Sequence, residues 1–394
     1  MATQTQNLES RPELAQQASK IPATMRAVVY RGVNDMRVET VPVPKIGAGE
    51  LLVRVATCGI CGTDLKKIHT GSHSAPRIFG HEMSGTIVAA GEGVTSYQVG
   101  ERVVVHHHVP CGECYYCRKQ TPTQCPLYKK VGVTAGFEPS GGGFAEYIRV
   151  MDWIVEGRGV VRIPDGVPFE QAAFVEPLNT VLKGVKLLNL AADDTVLVIG
   201  QGPIGLMHAA LAQRTGARVL TSDLYPERHA IAARFGLTNP INAGTENVVQ
   251  RVFEQTDGRG ADAVVLAVGG NALIKTAMDA VRPGGRVMLF AQTQHGETVI
   301  DPGAVCMDEK TLMGSYSSSF EILDEVTALA FDGYRTESNV NRFDLTQLIS
   351  HRFALEQAVE AIEIASHPKG DSMKIMLEPV PGGGSSCDGN LGNL

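Results

Sequence analysis

Three observations predict an α/β protein in which a doubly wound parallel sheet is inserted into a β-rich domain. From about residue 184 to 315, apolar strands alternate with helical stretches. The first of these strands runs into Gly200-Gln201-Gly202-Pro203-Ile204-Gly205 and then an apolar helix. On the N-terminal side, from about 25 to 183, the apolar runs are short and punctuated by Gly and Pro. Alternation of the first kind implies right-handed crossovers and a parallel sheet. Short runs separated by Gly turns imply a β-rich, barrel-like domain.

The elements follow in order. Arg26–Tyr30, Leu51–Val55, Thr86–Ala90 and Arg102–Val105 read as strands of the β-rich domain. In the second region Val196–Ile199, Arg218–Thr221, Asp262–Val268 and Arg286–Phe290 read as strands. Ile204–Thr215, Glu227–Phe235 and Leu273–Val281 are the helices among them. Beyond Ser315 come helices near Ile322–Phe331 and Leu355–Ser366, and a last strand, Lys374–Leu377. The polar stretch 1–24 and the Gly/Ser-rich stretch 381–394 are expected to be flexible ends.

Composition narrows the function. Of 394 residues, 43% are hydrophobic and 20% charged, so a wholly disordered chain is excluded. The length suffices for two or three domains with their own cores. A net charge of -7 argues against nucleic acid or an anionic membrane as partner. The first 20 residues lack the apolar core of a signal peptide. No apolar run approaches the roughly 20 residues that span a bilayer. A cytoplasmic location is therefore expected, where clustered Cys bind metal or act chemically rather than form disulfides.

G-x-G-x-x-G is a weak string alone; between a strand and an apolar helix it is a dinucleotide signal. Gly200 permits the tight turn, Gly202 lets the backbone approach a pyrophosphate, and Gly205 lets the helix pack on the sheet. The second strand ends at Asp223, 18 positions after Gly205. A carboxylate there accepts from ribose hydroxyls and repels a 2′-phosphate, which selects NAD. Arg228 lies close enough to favour NADP, but a lone Arg behind an intact Asp does not outweigh it.

Six of the eight Cys lie between Cys58 and Cys125. Cys111, Cys114, Cys117 and Cys125 form C-x2-C-x2-C-x7-C, a spacing suited to a closed, structural zinc site; an iron–sulfur cluster is the competing reading. Cys61 reads as lying at the end of a strand, and with His81 and a carboxylate it forms a mixed set that leaves zinc a fourth position open. His106-His107-His108 follows a strand, where alternation sends neighbours to opposite faces, so one shared metal site is not expected. His106 or His108 could line the approach to the cysteine lobe.

Together these motifs resemble the zinc-dependent medium-chain dehydrogenase/reductase family. The resemblance rests on GICGTD (59–64), GHE (80–82), the four-cysteine lobe, GGGFAEY (141–147), VEPL (175–178) and GQGPIG (200–205). It covers about Met25 to Pro379. GHE with EPL is most similar to the polyol branch, the sorbitol or L-iditol 2-dehydrogenases; threonine 3-dehydrogenases share GICGTD and GHE.

The resemblance implies a GroES-like catalytic domain, 25–183 plus 316–380, around a Rossmann NAD-binding domain, 184–315. It implies a catalytic zinc on Cys61 and His81, with Glu82 and Glu176 both candidates for third ligand. A structural zinc would sit in the 111–125 lobe. Thr63 would relay the substrate proton, and Asp64 would orient His81 or brace its loop. NAD would contact Gly200, Gly202, Pro203, Ile204, Gly205, Asp223 and Arg228. Where the family places a relay His five residues after the zinc Cys, this chain has Lys66, with His69 three further on. The implied reaction oxidises a small-molecule secondary alcohol, a polyol first, with NAD, in a homotetramer or dimer. Threonine 3-dehydrogenase and general alcohol dehydrogenase are the alternatives. A zinc-free reductase or NAD-binding regulator is a third, which the Cys61, His81 and Glu176 set opposes. Substrate specificity is expected from 66–78 and 131–137.

Overall fold

The computed structural model describes residues 21–128, 142–291, 297–335 and 343–379. The expected specificity segment 131–137, Gly141, Cys387 and nearly all of the two expected flexible ends lie outside these residues.

A six-stranded sheet carries the sequence between 195 and 314. Its order across the sheet is Pro240–Asn242, Arg218–Asp223, Thr195–Ile199, Ala261–Leu266, Val281–Leu289 and Thr311–Gly314. Every neighbouring pair is parallel. Numbered by sequence this is 3-2-1-4-5-6, the doubly wound order, whose ligand crevice lies at the ends of the first strands on either side of the reversal. The strand Thr195–Ile199 is buried throughout. Val196 and Val198 join one apolar cluster and Leu197 another on the opposite face, as period-two alternation in a sheet covered on both sides requires.

The remaining strands form two antiparallel-rich sheets. One orders Ile349–Ala354, Lys374–Glu378, Leu51–Gly59, Glu82–Ala90, Arg102–Val105 and Val160–Arg162, with Tyr147–Val150 also paired to Leu51–Gly59. The other is Asp35–Pro42, Thr24–Gly32 and Arg77–Ile78. Met376 and Leu377, near the C-terminus, pair antiparallel with Gly59 and Cys58. The chain thus returns, after the six-stranded sheet, to lie beside the residues that precede Cys61.

Two differences from the sequence expectation matter. Cys61 does not end a strand. The strand stops at Gly59, and Cys61 is the N-cap of a helix, Gly62–Thr70, whose Ile68 is buried. The helix Val175–Leu188 runs across the expected boundary at 183/184, burying its Val181, Leu182 and Val185 in the cluster shared with Val196 and Val198. Glu176 at its first turn is therefore fixed by the same packing that joins the two regions.

Candidate metal centre and dinucleotide crevice

Cys61, His81 and Glu82 come together although they leave from different elements. Cys61 caps the helix Gly62–Thr70, while His81 and Glu82 stand at the start of the strand Glu82–Ala90. Pairing of Gly59 with Glu82 brings the two segments side by side. One ligand atom from each of the three lies within 4.8 Å of the others. Glu176 is not in that group.

Asp64 organises the pair of soft ligands. It is fully buried; its Oδ2 accepts from the Cys61 backbone N–H at 3.2 Å, and its Oδ1 lies 3.1 Å from His81 Nδ1. A His held at Nδ1 presents Nε2 to a metal, and such a carboxylate fixes both tautomer and ring orientation. Thr63 Oγ1 is 3.2 Å from that Nε2. A hydroxyl is thus already seated beside the position a metal takes. Burial alone would lower the His81 pKa, but Asp64 and Cys61 beside it outweigh burial and hold it well above its ordinary value.

Glu82 is divided between two tasks. Its Oε2 accepts from Lys374 Nζ at 2.5 Å, in a pair buried on both sides. Its Oε1 is enclosed with no hydrogen-bond partner. A buried carboxylate oxygen left unpaired is costly, and a cation between Cys61 and His81 would satisfy it. The donor set of one thiolate, one imidazole and one carboxylate fits zinc with a position left open. Lys374 also donates to the Ile60 carbonyl at 3.3 Å. Glu176 stands behind, with burial, reinforced by Glu82, pushing its carboxyl up to about 7.

The cysteine lobe is built otherwise. Sγ separations are 3.9 Å for Cys111–Cys117, 3.5 Å for Cys114–Cys117 and 3.6 Å for Cys111–Cys125. With Zn–S bonds of about 2.3 Å, the edge of a regular tetrahedron is about 3.8 Å, so the four thiols form a cage of zinc's size. Burial would raise the Cys125 thiol, but backbone N–H groups of Cys111, Tyr128 and Leu127 bring it down to about 6. Cys58, by contrast, is packing: a Cβ at Gly80 or Gly143 would meet its Sγ at 2.9 or 2.7 Å. Burial pushes its thiol well up.

The glycine-rich turn has the geometry a dinucleotide needs. Gly200 takes φ 97°, which side-chain-bearing residues rarely adopt. A Cβ on Gly205 would lie 1.7 Å from the Gly200 carbonyl, whereas one on Gly202 meets nothing within 4 Å. The open space is therefore at Gly202, the N-cap of the helix Pro203–Arg214, where anions bind. Asp223 accepts from the Gln201 N–H at 2.7 Å and the Tyr225 N–H at 3.0 Å. Arg228 reaches its Oδ2 at 3.2 Å and also the carbonyls of Lys369 and Ser372.

The alcohol dehydrogenase GroES-like domain model matches residues 47–165, and the zinc-binding dehydrogenase model matches 203–332. The chain belongs to the zinc-dependent medium-chain dehydrogenase/reductase family. It is 29% identical to a sorbitol dehydrogenase of Bacillus subtilis (strain 168), over 91% of this chain and 98% of that one. It is 32% identical to an L-threonine 3-dehydrogenase of Sinorhizobium medicae (strain WSM419), over 90% and 98%. A zinc-binding dehydrogenase from Sinorhizobium meliloti 1021, bound to NADP, superposes with a TM-score of 0.78 at 28% identity, covering 91% of this chain and all of that one. Among the described residues of this family member, no helix is long and apolar enough to cross a membrane.

The three His after Arg102–Val105 do not share a site. His106 packs on Phe320, His107 on His81, and His108 on Tyr128 at the end of the cysteine lobe. Two residues near the centre carried no motif: Lys374 and His107. A Lys opening an otherwise apolar strand is the available signal for Lys374. For His107, strand alternation does not apply, because the strand stops at Val105. His69 lies against Asn34 and Ser366, at 2.6 and 2.9 Å.

Proposed function

We propose that the chain is an oxidoreductase that passes hydride from a secondary alcohol, a polyol first, to NAD, giving a ketone. The observation that carries this reading is the Cys61–His81–Glu82 group, half-buried at Cys61 and buried at the other two, with Thr63 Oγ1 3.2 Å from His81 Nε2. Zinc, when bound there, supplies a Lewis acid that lowers the pKa of an adjacent hydroxyl. Cys61, His81 and Glu82 hold it, Asp64 orients His81, and Lys374 keeps Glu82 in place. Glu176 lies one step back as the neighbouring carboxyl group. Thr63 takes the substrate's hydroxyl proton, because its oxygen stands beside His81 Nε2 with both donor and acceptor capacity. Cys111, Cys114, Cys117 and Cys125 hold the structural zinc.

NAD, when bound, accepts the hydride. Gly200, Gly202, Pro203, Ile204 and Gly205 cradle its pyrophosphate, and Asp223 receives the ribose hydroxyls. The solved relative that carries NADP leaves the cofactor choice to this chain's own residues. Asp223 is fixed by two backbone N–H groups and by Arg228, which holds a carboxylate where a 2′-phosphate would come. On this reading 25–183 plus 316–380 form the catalytic unit and 184–315 the cofactor unit. The strand Thr311–Gly314 is an open edge of the six-stranded sheet, which supports pairing of two copies there.

Likeness to an L-threonine 3-dehydrogenase favours a second reading, threonine as substrate. Incubation of the zinc-loaded protein with sorbitol, xylitol, 2,3-butanediol or threonine, each with NAD or NADP, separates them by absorbance of the reduced cofactor. Polyol or diol turnover with NAD is expected. Turnover of threonine alone removes the polyol reading, and equal use of NADP removes the role given to Asp223.

A further inference from the structure

Lys67 stands on the face of the helix Gly62–Thr70 that is turned to the mixed metal group. Thr63 and Asp64, four and three residues earlier, share that face, and both meet His81. Ile68 is buried in the core, and His69 lies against Asn34 and Ser366, so neither competes for the same space. Lys67 Nζ sits over the ring of Phe79, 5.7 Å from its centroid. The ring of His73 meets that same Phe79 edge-on at 6.0 Å. Phe79 is fully buried two residues before His81, and it fixes where both basic groups stand. Burial first, then the positive charges of Lys67 and Arg77, lower the His73 pKa. Lys67 is half-buried, and among the described residues no carboxylate lies within ion-pair distance of it. A half-buried ammonium without a counter-charge is costly. Beside a metal group and two further basic side chains, it is placed for an anion that a ligand brings.

We propose that Lys67, with His73 beside it, receives a phosphate monoester at the far end of the substrate, so that the site prefers a phosphorylated alcohol to an uncharged one of the same carbon skeleton. This rests on the dehydrogenase reading above and names its substrate class. Thr63 marks where the reacting hydroxyl sits, and Lys67 lies four residues on, about 6 Å along the helix axis. The phosphate therefore belongs several carbons from the reacting one. A phosphate monoester carries a charge of about −1.5 to −2 at pH 7 and three strong acceptor oxygens. Lys67 offers three N–H donors, and His73, once protonated beside the dianion, adds another. A carboxylate, with a single charge, is satisfied by Lys67 alone and leaves His73 without a role.

The test compares kcat/KM for sorbitol 6-phosphate, sorbitol and gluconate, one six-carbon skeleton with a phosphate, no charge or a carboxylate. It uses the zinc-loaded full chain with NAD, its Lys67→Met variant and its Lys67→Arg variant. Wild type is expected to favour sorbitol 6-phosphate over sorbitol by about tenfold or more, chiefly through KM, as a charge-assisted hydrogen bond is worth. In Lys67→Met the ratio should fall to within about threefold of one, while Lys67→Arg, which keeps the charge, retains most of it. Zinc content and thermal melts verify that each variant is folded, and Lys67→Gln reads the same ratio if the Met variant is not. A wild-type ratio near one, a ratio unchanged in Lys67→Met, or a gain for gluconate with none for the phosphate overturns the proposal. If the wild-type protein oxidises no alcohol at all, the dehydrogenase reading fails separately. Calorimetric Kd values for inorganic phosphate, on wild type and Lys67→Met, then decide on Lys67. Binding weakened about fivefold or more in the variant supports its role, and equal binding overturns it.

Discussion

The two candidate metal groups of this chain are made in opposite ways. The cysteine lobe draws all four ligands from 15 consecutive residues, Cys111 to Cys125, and three of them are only half-buried. Its short helices, Tyr115–Arg118 and Pro122–Gln124, bury little besides Thr123. The mixed group takes ligands from a helix cap and a strand end, encloses His81 and Glu82 while Cys61 stays half-buried, and adds Asp64 and Lys374 as charged supports. A lobe without a core needs a metal to fold; a site within a core needs the fold to hold a metal open to chemistry. The contrast separates stability from activity.

The sharpest way to break that contrast is Cys61→Ser. Turnover is expected to fall by about 10³-fold or more, equivalent to about 4 kcal/mol of lost barrier lowering. One of two zinc ions per chain should remain by metal analysis. Loss of both ions, or unchanged activity, would erase the distinction.

Lys374→Met comes next. It leaves Glu82 buried without its cation, a change costing about 3 kcal/mol in chelator-treated protein. Zinc supplies the missing positive charge, so the difference in urea midpoint from wild type should shrink when metal is restored. An equal difference in both conditions would mean that Glu82 does not face the metal.

Cys114→Ser probes the other side. The lobe should lose its ion and the protein about 2 kcal/mol, a Tm lower by roughly 4–8 °C, with kcat changed less than about tenfold. A collapse of kcat as deep as that of Cys61→Ser would show that the lobe also serves the reaction.

The smallest effect belongs to a buried carboxylate with no metal near it. Burial would raise the pKa of Glu50, but Arg149, at 2.7 Å, and the Gly47 N–H outweigh burial and hold it below its ordinary 4.5. The folded value is depressed, so this contribution is complete above about pH 4.5 and is lost as pH falls through the folded pKa. Glu50→Gln should therefore cost about 1 kcal/mol at pH 7, and its urea midpoint should converge on wild type as the pH falls below the ordinary carboxylate range. A gap that persists in acid would place the effect in packing instead of charge.

The same contrast explains what could be read before any coordinates. The cysteine lobe and the glycine turn are local, so residue spacing carried them. The helix expected at Ile204–Thr215 is found at Pro203–Arg214, and the strand expected from Lys374 begins there. The mixed centre was legible only where motifs survived as short strings, GICGTD and GHE. The helix Gly62–Thr70 went unread because Cys61 was assigned to the preceding strand, although Leu65 and Ile68 have helical spacing. The strand Ile349–Ala354 was missed because its residues are only half-buried and carry no clean alternation. His107 and Lys374 depend on where a strand stops and on pairing across the whole chain, and neither is encoded in a nearby residue.

Lys374 and Glu82 are separated by 292 residues. During synthesis at 5–20 residues per second, the ligand strand leaves the ribosome about 15–60 s before its counter-charge exists. The four cysteines are complete by residue 125, and the backbone N–H groups that lower Cys125 lie no further on than Tyr128. A nascent chain can therefore load the lobe early, while Glu82 waits unpartnered for the last strand. Metal supply during translation would then act on the two groups at different times.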